Sequence, residues 1–157
     1  MSDPIDVVLK NEGGFAHDPT DGGGRTQFGI SEKSNPSAWA DGKVTEAEAR
    51  AIYETKYVKS PGFDRIKDPQ LQTQLIDFAV NSGPAVAIMK LQAILGIPVD
   101  GILGPETLDS LSTQDIRSVN NQLVAERIKM IGKIVSRNVA QVRFLNGWLS
   151  RALQFLV

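Results

Sequence analysis

A single glutamate at the predicted end of the first helix is the best candidate for an acid catalyst in this sequence. Glu12 closes a stretch that Asp3 can cap, and two glycines, Gly13 and Gly14, follow it. The C-terminal end of a helix is the negative pole of its dipole, so we expect the charged form of Glu12 to be disfavoured. A carboxyl group that keeps its proton near neutral pH can act as a general acid. The plainer alternative is an ordinary solvated glutamate at a helix end.

A glycine-rich segment follows, with an acid and a hydroxyl group that could assist this glutamate. Residues 18–24, Asp-Pro-Thr-Asp-Gly-Gly-Gly, predict a turn, and residues 25–30 alternate as a short strand does. We therefore predict a small β-hairpin that presents Asp21 and Thr26 to Glu12. Asp21 could polarise an attacking water and Thr26 could hold it, which together with a proton donor is the set that cleaves a glycosidic bond.

Other kinds of site are excluded by residue type. The glycine-rich segment lacks the Gly-Lys-Ser/Thr ending of a phosphate loop. Cysteine is absent and His17 is the only histidine, so disulfides, cysteine-based zinc sites and multi-histidine metal sites are excluded. We expect no metal and no cofactor. We assign His17 and Phe28 to the border of the cleft that binds the substrate.

The rest of the chain is patterned for helices. They are predicted at residues 3–11, 45–57 (with a capping box of Thr45 and Glu48), from 68 to an end near Asn81, at 84–96 and 104–111, then after a cap at Ser112 or Thr113, and from about 139 to the end. The fold class is therefore mainly α, a helical bundle with a small β-hairpin next to the end of the catalytic helix.

Several separated blocks resemble glycoside hydrolase family 108. The motif Asn-Glu-Gly-Gly-Phe (residues 11–15) precedes Asp-Pro-x-Asp-x-Gly-Gly-x-Thr-x-Phe-Gly-Ile-Ser (residues 18–31). Further blocks follow in the family's order at residues 49–53, 77–84, 91–96, 99–107 and 144–151. Members of this family are N-acetylmuramidases, or lysozymes, of phage endolysin and bacterial autolysin type.

This chain departs from the family pattern at two positions. Phe15 stands where the family usually has tyrosine, and Val58 where it usually has tryptophan, so sugar stacking there is in doubt while the acid chemistry is not. Phage lysozymes of a neighbouring family carry a Glu, Asp, Thr set that resembles Glu12, Asp21 and Thr26. The Asp-to-Thr interval is one residue shorter here, which leaves Asp18 open as the second acid; Asp18 could instead shape the turn before Pro19.

The resemblance implies a lysozyme-like α+β fold in which helices dominate. It also implies a peptidoglycan hydrolase that cleaves the β-1,4 bond between N-acetylmuramic acid and N-acetylglucosamine. No linker divides the chain, so we predict one domain over residues 1–157, with a catalytic part at 1–80 and a peptidoglycan-binding-like helical part at 81–157. The alternatives are a lytic transglycosylase and a non-catalytic wall-binding or secretion-helper protein.

Some further side chains are assigned to the substrate. The amide of Asn81 could bind an N-acetyl group or simply close a helix, and Asp77 could be a second cleft acid or a buried structural partner. The indole of Trp39 could stack on a glycan or anchor its loop. Four residues are expected to tie the last helices together: Arg127, Phe144, Trp148 and Arg151.

The net charge and the hydrophobic pattern limit the kinds of partner that the chain can have. The net charge of -1 gives no strong attraction to nucleic acid, so glycan strands of peptidoglycan are the expected partner, bound by a monomer. No segment is apolar enough to span a membrane, and a membrane role is considered only for the C-terminal helix, where packing is preferred. The N-terminus lacks the features of a secretory signal. We therefore expect synthesis in the cytoplasm and access to the wall by holin-type or other release, as in endolysin-driven lysis.

Overall fold

Helices make up most of the molecule. The structure is a computed structural model that describes residues 2–17 and 24–157. The described residues form seven α-helices: α1 Pro4–Glu12, α2 Glu46–Tyr53, α3 Pro69–Ser82, α4 Pro84–Leu95, α5 Pro105–Ser112, α6 Ile116–Arg137 and α7 Leu145–Leu153. They also form three short strands: β1 Phe15–His17, β2 Arg25–Gln27 and β3 Ile30–Ser31. The predicted fold class, mainly α with a small β element beside the first helix, is confirmed.

Local capping signals set where the helices begin. Asp3 accepts a hydrogen bond from the Ile5 amide at 2.8 Å, and a proline opens the first turn of α1. Thr45 and Glu48 form the predicted capping box of α2, in which each side chain accepts from the other's backbone amide. Asp68 caps α3 by accepting from the Leu71 amide at 2.8 Å. These interactions satisfy amide groups that a helix N-terminus leaves without partners.

Three helix boundaries differ from the prediction. The cap of α6 is Asp115, which accepts from the Arg117 amide at 3.1 Å, rather than Ser112 or Thr113. The α-helix predicted through residue 57 ends at Tyr53 and continues as a π-helical stretch, Glu54–Lys59. The segment after α6 is a 3₁₀ helix, Val139–Phe144, that leads into α7, because the Asn138 side chain accepts from the Ala140 amide and starts a new turn there.

The β element is an antiparallel sheet of three strands in the order β1-β2-β3, one strand more than the predicted hairpin. Ala16 lies opposite Thr26, and Thr26 lies opposite Ser31. The turn between β2 and β3 consists of Phe28 and Gly29, both with positive φ, at 51° and 75°. Two-residue turns of this kind match the right-handed twist of the strands that they join.

Helix α3 is the centre of the core. Its residues from Leu71 to Ala79 that face inward are buried, and it packs against α1, α4 and α6. Two buried amide groups of α3 and α6 donate hydrogen bonds: the Gln74 amide donates to the Asn120 carbonyl at 3.0 Å, and the Asn120 amide donates to the Phe155 carbonyl at 2.7 Å. These bonds reduce the penalty of burying the amide nitrogens and hold α6 and residue 155 on α3.

A buried glutamine holds the connection between α4 and α5. The Gln92 amide donates to Asp100 Oδ1 at 2.7 Å and Thr107 Oγ1 at 3.1 Å, and its oxygen accepts from the Gly101 amide at 2.9 Å. Gly101 has φ 74°, which suits the predicted Asp-Gly turn. The hydrogen bond from Gln92 also lowers the pKa of Asp100. Among the described helices, none is long and apolar enough to cross a membrane.

Candidate active site

Glu12 lies at the last position of α1, where the chain turns into β1. Gly13, with φ 74°, ends the helix and lets the chain leave it at once. Glu12 Oε1 lies 2.7 Å from Arg151 Nη1, and the Glu12 side chain is 20% exposed. One carboxylate oxygen is therefore held by an arginine of α7, while the side chain keeps access to solvent.

The turn between β2 and β3 closes over the other oxygen. A Cβ atom built on Gly29 would lie 2.8 Å from Glu12 Oε2 and would also collide with the Tyr53 hydroxyl. Only glycine fits this position, because of both its φ of 75° and its contacts. Phe28 adopts a φ of 51°, a region that non-glycine residues seldom occupy and that is found where a site fixes the backbone.

Tyr53 of α2 holds this turn in place through a hydrogen bond. Its hydroxyl donates to the Phe28 carbonyl at 2.7 Å, and the residue is buried. Burial raises the pKa of Tyr53, and the negative charge of Glu12 raises it further. The phenol therefore stays protonated and remains a hydrogen-bond donor throughout the physiological range.

Behind Glu12 lies a buried cluster of alternating charges. Asp77 of α3 is fully buried and accepts from Asn11 Nδ2 at 3.0 Å and from Arg127 Nη2 at 2.7 Å. Arg151 bridges the two carboxylates, since its Nε donates to Asp77 Oδ1 at 3.0 Å while its Nη1 contacts Glu12. Two arginines thus balance two carboxylates, as buried charges require.

The two arginines of this cluster respond differently to their surroundings. Burial lowers the pKa of Arg127, although Asp77 acts in the opposite direction. Burial also opposes the charge of Arg151, but the charges of Asp77 and Glu12 and the hydrogen bonds to them outweigh it and raise the Arg151 pKa. Arg151 positions Glu12 because it contacts that carboxylate directly while Asp77 holds it from the other side.

The exposed side of Glu12 borders a polar cavity of about 160 Å³. Hydroxyl, amide, ammonium and aromatic groups surround it, which is the mixture that binds a sugar ring and its substituents. Its lining comprises Glu12, Gly29, Ile30, Ser31, Ser34, Asn35, Ile52, Tyr53, Lys56, Tyr57 and Val80. Lys56 and Tyr57 come from the π-helical stretch, and insertions of this kind are frequent at functional sites.

Of the predicted partners of Glu12, Thr26 lies on β2, and the candidate acids belong to the sequence between β1 and β2. Thr26 lies opposite Ser31, so both side chains project from one face of the sheet, and Ser31 lines the cavity. Asp21 and its alternative Asp18 lie outside the described residues, so their roles stay predictions. His17 pairs with Arg25 in the sheet, and its side chain is outside the described part.

The residues assigned to substrate binding are placed apart from one another. Asp77 is fully buried and its oxygens are taken by three donors, so it does not face a substrate and is the buried structural partner instead. Phe28 contributes its carbonyl to Tyr53 and packs its ring against the core. Asn81 is exposed and borders a different cavity, between α3, α6 and α7, together with Trp148.

Trp39 is not an exposed aromatic side chain that could stack on a glycan. Its indole is buried, and its Nε1 donates to the Ile30 carbonyl at 3.2 Å. Arg25 covers the ring at 4.9 Å from its centre. Trp39 therefore anchors its loop to β3, which was the alternative interpretation.

Sequence reasoning missed the contribution of the loop after β3 and of the π-helical stretch to the cavity. Ser34, Asn35 and Lys56 have no local motif that marks them. Arg151 lies in a block that resembles the family, but its pairing with Glu12 joins distant parts of the chain, which no local pattern predicts.

Comparison with known proteins gives evidence that does not depend on the geometry of the site. Residues 5–83 match the family model described as Glycosyl hydrolase 108, and residues 86–153 match the one described as Predicted Peptidoglycan domain. The structure is similar to a solved structure, "Structure of Brucella abortus SagA", with a TM-score of 0.69 and 30% sequence identity. The similarity covers 96% of this chain and 92% of that one. Comparison with curated proteins gives no match.

Proposed function

Because this chain belongs to the glycosyl hydrolase 108 family, we propose that it is an N-acetylmuramidase with Glu12 as its general acid. Membership makes it a glycoside hydrolase, and the match of residues 86–153 to the model described as Predicted Peptidoglycan domain supports peptidoglycan as its substrate. The proposal names the bond: the β-1,4 linkage between N-acetylmuramic acid and N-acetylglucosamine. The observation that carries it is the position of Glu12, which is fixed by Arg151 and borders a polar cavity.

The two oxygens of Glu12 have different surroundings, so they can have different roles. Oε1 is bound to Arg151, so Oε2, on the side of Gly29, is the oxygen that carries the transferred proton in this proposal. Protonation of the leaving oxygen allows the glycosidic bond to break through an oxocarbenium-like state. Arg151 acts as a positioning residue that limits the rotation of the carboxyl group.

A water molecule completes the hydrolysis. Ser31 lines the cavity and Thr26 lies opposite it on the same face of the sheet, and we assign their hydroxyl groups to holding a water near the sugar. We assign its activation to Asp21. A separation of about 6.5–9.5 Å between the two carboxyl groups gives inversion at the anomeric carbon, and about 5–5.5 Å gives retention. The anomeric configuration of the first product, measured by NMR, distinguishes the two.

Substitution of Glu12 by glutamine is the central test. We expect Glu12→Gln to lower the rate of peptidoglycan hydrolysis by about 10²–10⁴-fold, the contribution of general acid catalysis. Glu106→Gln is the matched control, because Glu106 is exposed on α5 and should keep full activity. Reducing-end release and circular dichroism are measured for both variants. Hydrolysis by Glu12→Gln at the wild-type rate, with an intact fold, would overturn the proposal.

A lytic transglycosylase is the second candidate, and one observation favours it. Within the described part of the chain, Glu12 is the only carboxylate that lines the cavity, and transglycosylation needs only one acid. The reaction ends in an anhydro sugar because no water is added. Mass spectrometry of the digested muropeptides decides: a product heavier by one water supports hydrolysis, and anhydro ends support the transglycosylase.

We also propose an endolysin role in bacterial lysis. Two matches support that role: one to a glycosyl hydrolase family and one to a peptidoglycan domain. Expression inside bacteria should leave the culture intact until a holin or a membrane-permeabilising agent is supplied. Turbidity loss after permeabilisation with the wild type, but not with Glu12→Gln, is the expected outcome.

A further inference from the structure

Positive charge is concentrated near the end of the sequence. After Glu126 the chain contains six lysine and arginine residues and no aspartate or glutamate. The preceding residues hold eleven basic and eighteen acidic side chains, which leaves the chain as a whole at -1. Arg127, Lys129 and Arg151 form salt bridges with acids, so long-range attraction to an anionic surface would act on the remaining three cations.

Large apolar side chains are exposed in this same region. We define the tip as residues 133–144, which comprise the end of α6 and the 3₁₀ helix that follows it. Val139 is 70% exposed, Val142 52%, Phe144 42% and Ile134 40%. A single exposed apolar residue is normal, but several in so short a segment mark an interaction surface.

The cations of the tip stand among these apolar side chains. Lys133, Arg137 and Arg143 are exposed, and none of them forms a salt bridge with another described residue. The guanidinium of Arg143 lies 4.6 Å from the centre of the Phe144 ring, so a charge and an aromatic face are presented together. The positive charge of the tip is thus available to a partner.

An apolar cleft lies beside the tip. Ile134 is exposed at the tip and also lines the cavity between α3, α6 and α7, where Met130 and Trp148 form further walls. The Trp148 ring lies 5.5 Å from that of Phe144. Apolar surface therefore extends from the tip towards the body of the protein.

We propose that the tip docks this protein on the anionic surface of a phospholipid bilayer. Val139, Val142 and Phe144 would enter the headgroup region, while Lys133, Arg137 and Arg143 contact lipid phosphates. Binding at a lipid interface uses both apolar side chains and cations. Binding to a purely polar anionic polymer would use the cations alone. The core of a typical protein–protein interface is depleted of charged residues, so three cations among the apolar groups favour the lipid surface.

Docking at the tip would hold the catalytic centre close to the membrane. Helix α7 runs directly from the tip to Arg151, and about two turns, or roughly 10 Å, separate Phe144 from Arg151. The protein would thus work on glycan strands next to the bilayer. The membrane contact itself does not depend on the proposed hydrolysis, and Glu12→Gln should bind vesicles as the wild type does.

Co-sedimentation with vesicles tests the proposal. We expect the full-length protein to bind vesicles of equal parts phosphatidylglycerol and phosphatidylcholine, to release them in high salt, and to ignore phosphatidylcholine alone. Each cation near an anionic surface contributes roughly fivefold, so K133Q/R137Q/R143Q should bind about a hundredfold more weakly. The matched control K43Q/K67Q/R117Q removes three exposed cations elsewhere and should lose much less.

A second variant separates lipid docking from simple charge attraction. V139S/V142S/F144S keeps every charge, and we expect it to lose at least tenfold in vesicle binding while still hydrolysing soluble glycan fragments. Equal binding by this variant and the wild type would identify a polyanion site and overturn the proposal. A wild type that ignores anionic vesicles but dimerises in sedimentation velocity, with the dimer lost in V139S/V142S/F144S, would assign the tip to a second copy of the chain.

Discussion

Arg151 connects two carboxylates that have different tasks. Glu12 borders the cavity, whereas Asp77 is fully buried and never meets the solvent. The arginine contacts both, so the orientation of the exposed acid depends on the buried one. Asp77 in turn holds Arg127 and accepts from Asn11, and it therefore links α1, α3, α6 and α7 at one point.

Neutralising the buried carboxylate should destabilise the whole fold. Asp77→Asn leaves Arg127 and Arg151 without their main counter-charge, and breaking a buried ion pair costs about 3–5 kcal/mol. Urea unfolding followed by circular dichroism measures the loss. Asp109→Asn, an exposed aspartate on α5, is the control and should change the free energy of unfolding by less than about 0.5 kcal/mol. An unchanged unfolding midpoint in Asp77→Asn would show that the cluster does not stabilise the protein.

The Tyr53 hydroxyl should contribute stability that disappears in alkali. Tyr53→Phe removes its hydrogen bond to the Phe28 carbonyl, at a cost of about 1 kcal/mol near neutral pH. Because the pKa of Tyr53 is raised in the folded state, this contribution is complete below the unfolded-state pKa of about 10 and declines as the pH rises further. Urea unfolding between pH 8 and pH 11 should therefore show the wild type and Tyr53→Phe converging.

Tyr57→Phe provides the comparison for that experiment. Tyr57 packs against Tyr53 with ring centres 5.7 Å apart, yet its hydroxyl donates no hydrogen bond to another described residue. At pH 8 the free energy of unfolding of Tyr57→Phe should lie within about 0.5 kcal/mol of the wild-type value, because no hydrogen bond to a described residue is lost. A difference between the wild type and Tyr53→Phe that stays constant from pH 8 to pH 11 would refute the assigned role of the phenol.

Among the elements, the turn between β2 and β3 sets the distance between the sheet and α1. Its two residues, Phe28 and Gly29, have positive φ values, and Gly29 packs directly on Glu12. A side chain at this position would push the strand away from the carboxyl group. The turn therefore determines how closely the hydroxyl groups of β2 and β3 approach the acid.

Gly29→Ala should lower the hydrolytic activity by more than the added backbone strain alone can explain. The added methyl group would lie 2.8 Å from Glu12 Oε2, so we expect hydrolysis to fall by at least tenfold. Gly24→Ala is a matched control: Gly24 has a similar φ of 72°, but its nearest neighbour would be at 3.5 Å, an ordinary contact. Both changes carry a backbone penalty of roughly 1–2 kcal/mol. Equal activity of the two variants would rule out the contact as the cause.

Elements whose signals are local could be predicted from the sequence, and contacts between distant elements could not. Asp3, Thr45 and Asp68 begin helices because their side chains bond amides two or three residues away. The switch to π-helix after Tyr53 and the pairing of Arg151 with Glu12 have no such local cause. Both features depend on which side chains the fold brings together, and this is determined by how the other helices pack on α3.

At the scale of the whole molecule, the two halves share one charged cluster. Glu12 and Asp77 belong to the part that matches the hydrolase family, and Arg127 and Arg151 to the part that matches the peptidoglycan domain. The second half therefore supplies counter-charges to the first in addition to any role in binding the wall. This arrangement supports the prediction of a single folding unit.

A fragment of residues 1–83 should not fold on its own. It would leave Asp77 without either arginine and would also expose the face of α3 that packs on α4 and α6. We expect no cooperative thermal transition and no hydrolysis by this fragment, with the full chain measured beside it. A sharp transition together with hydrolysis by the fragment would show that the catalytic part is an independent domain.

The order in which a ribosome makes this chain has a consequence for the salt bridge between Glu12 and Arg151. Glu12 is made first, and Arg151 is added only after all of the described helices α1–α6 have been translated. A nascent chain that has not yet reached Arg151 therefore lacks the group that orients its acid. Such a polypeptide carries no assembled candidate catalytic centre in the producing cell.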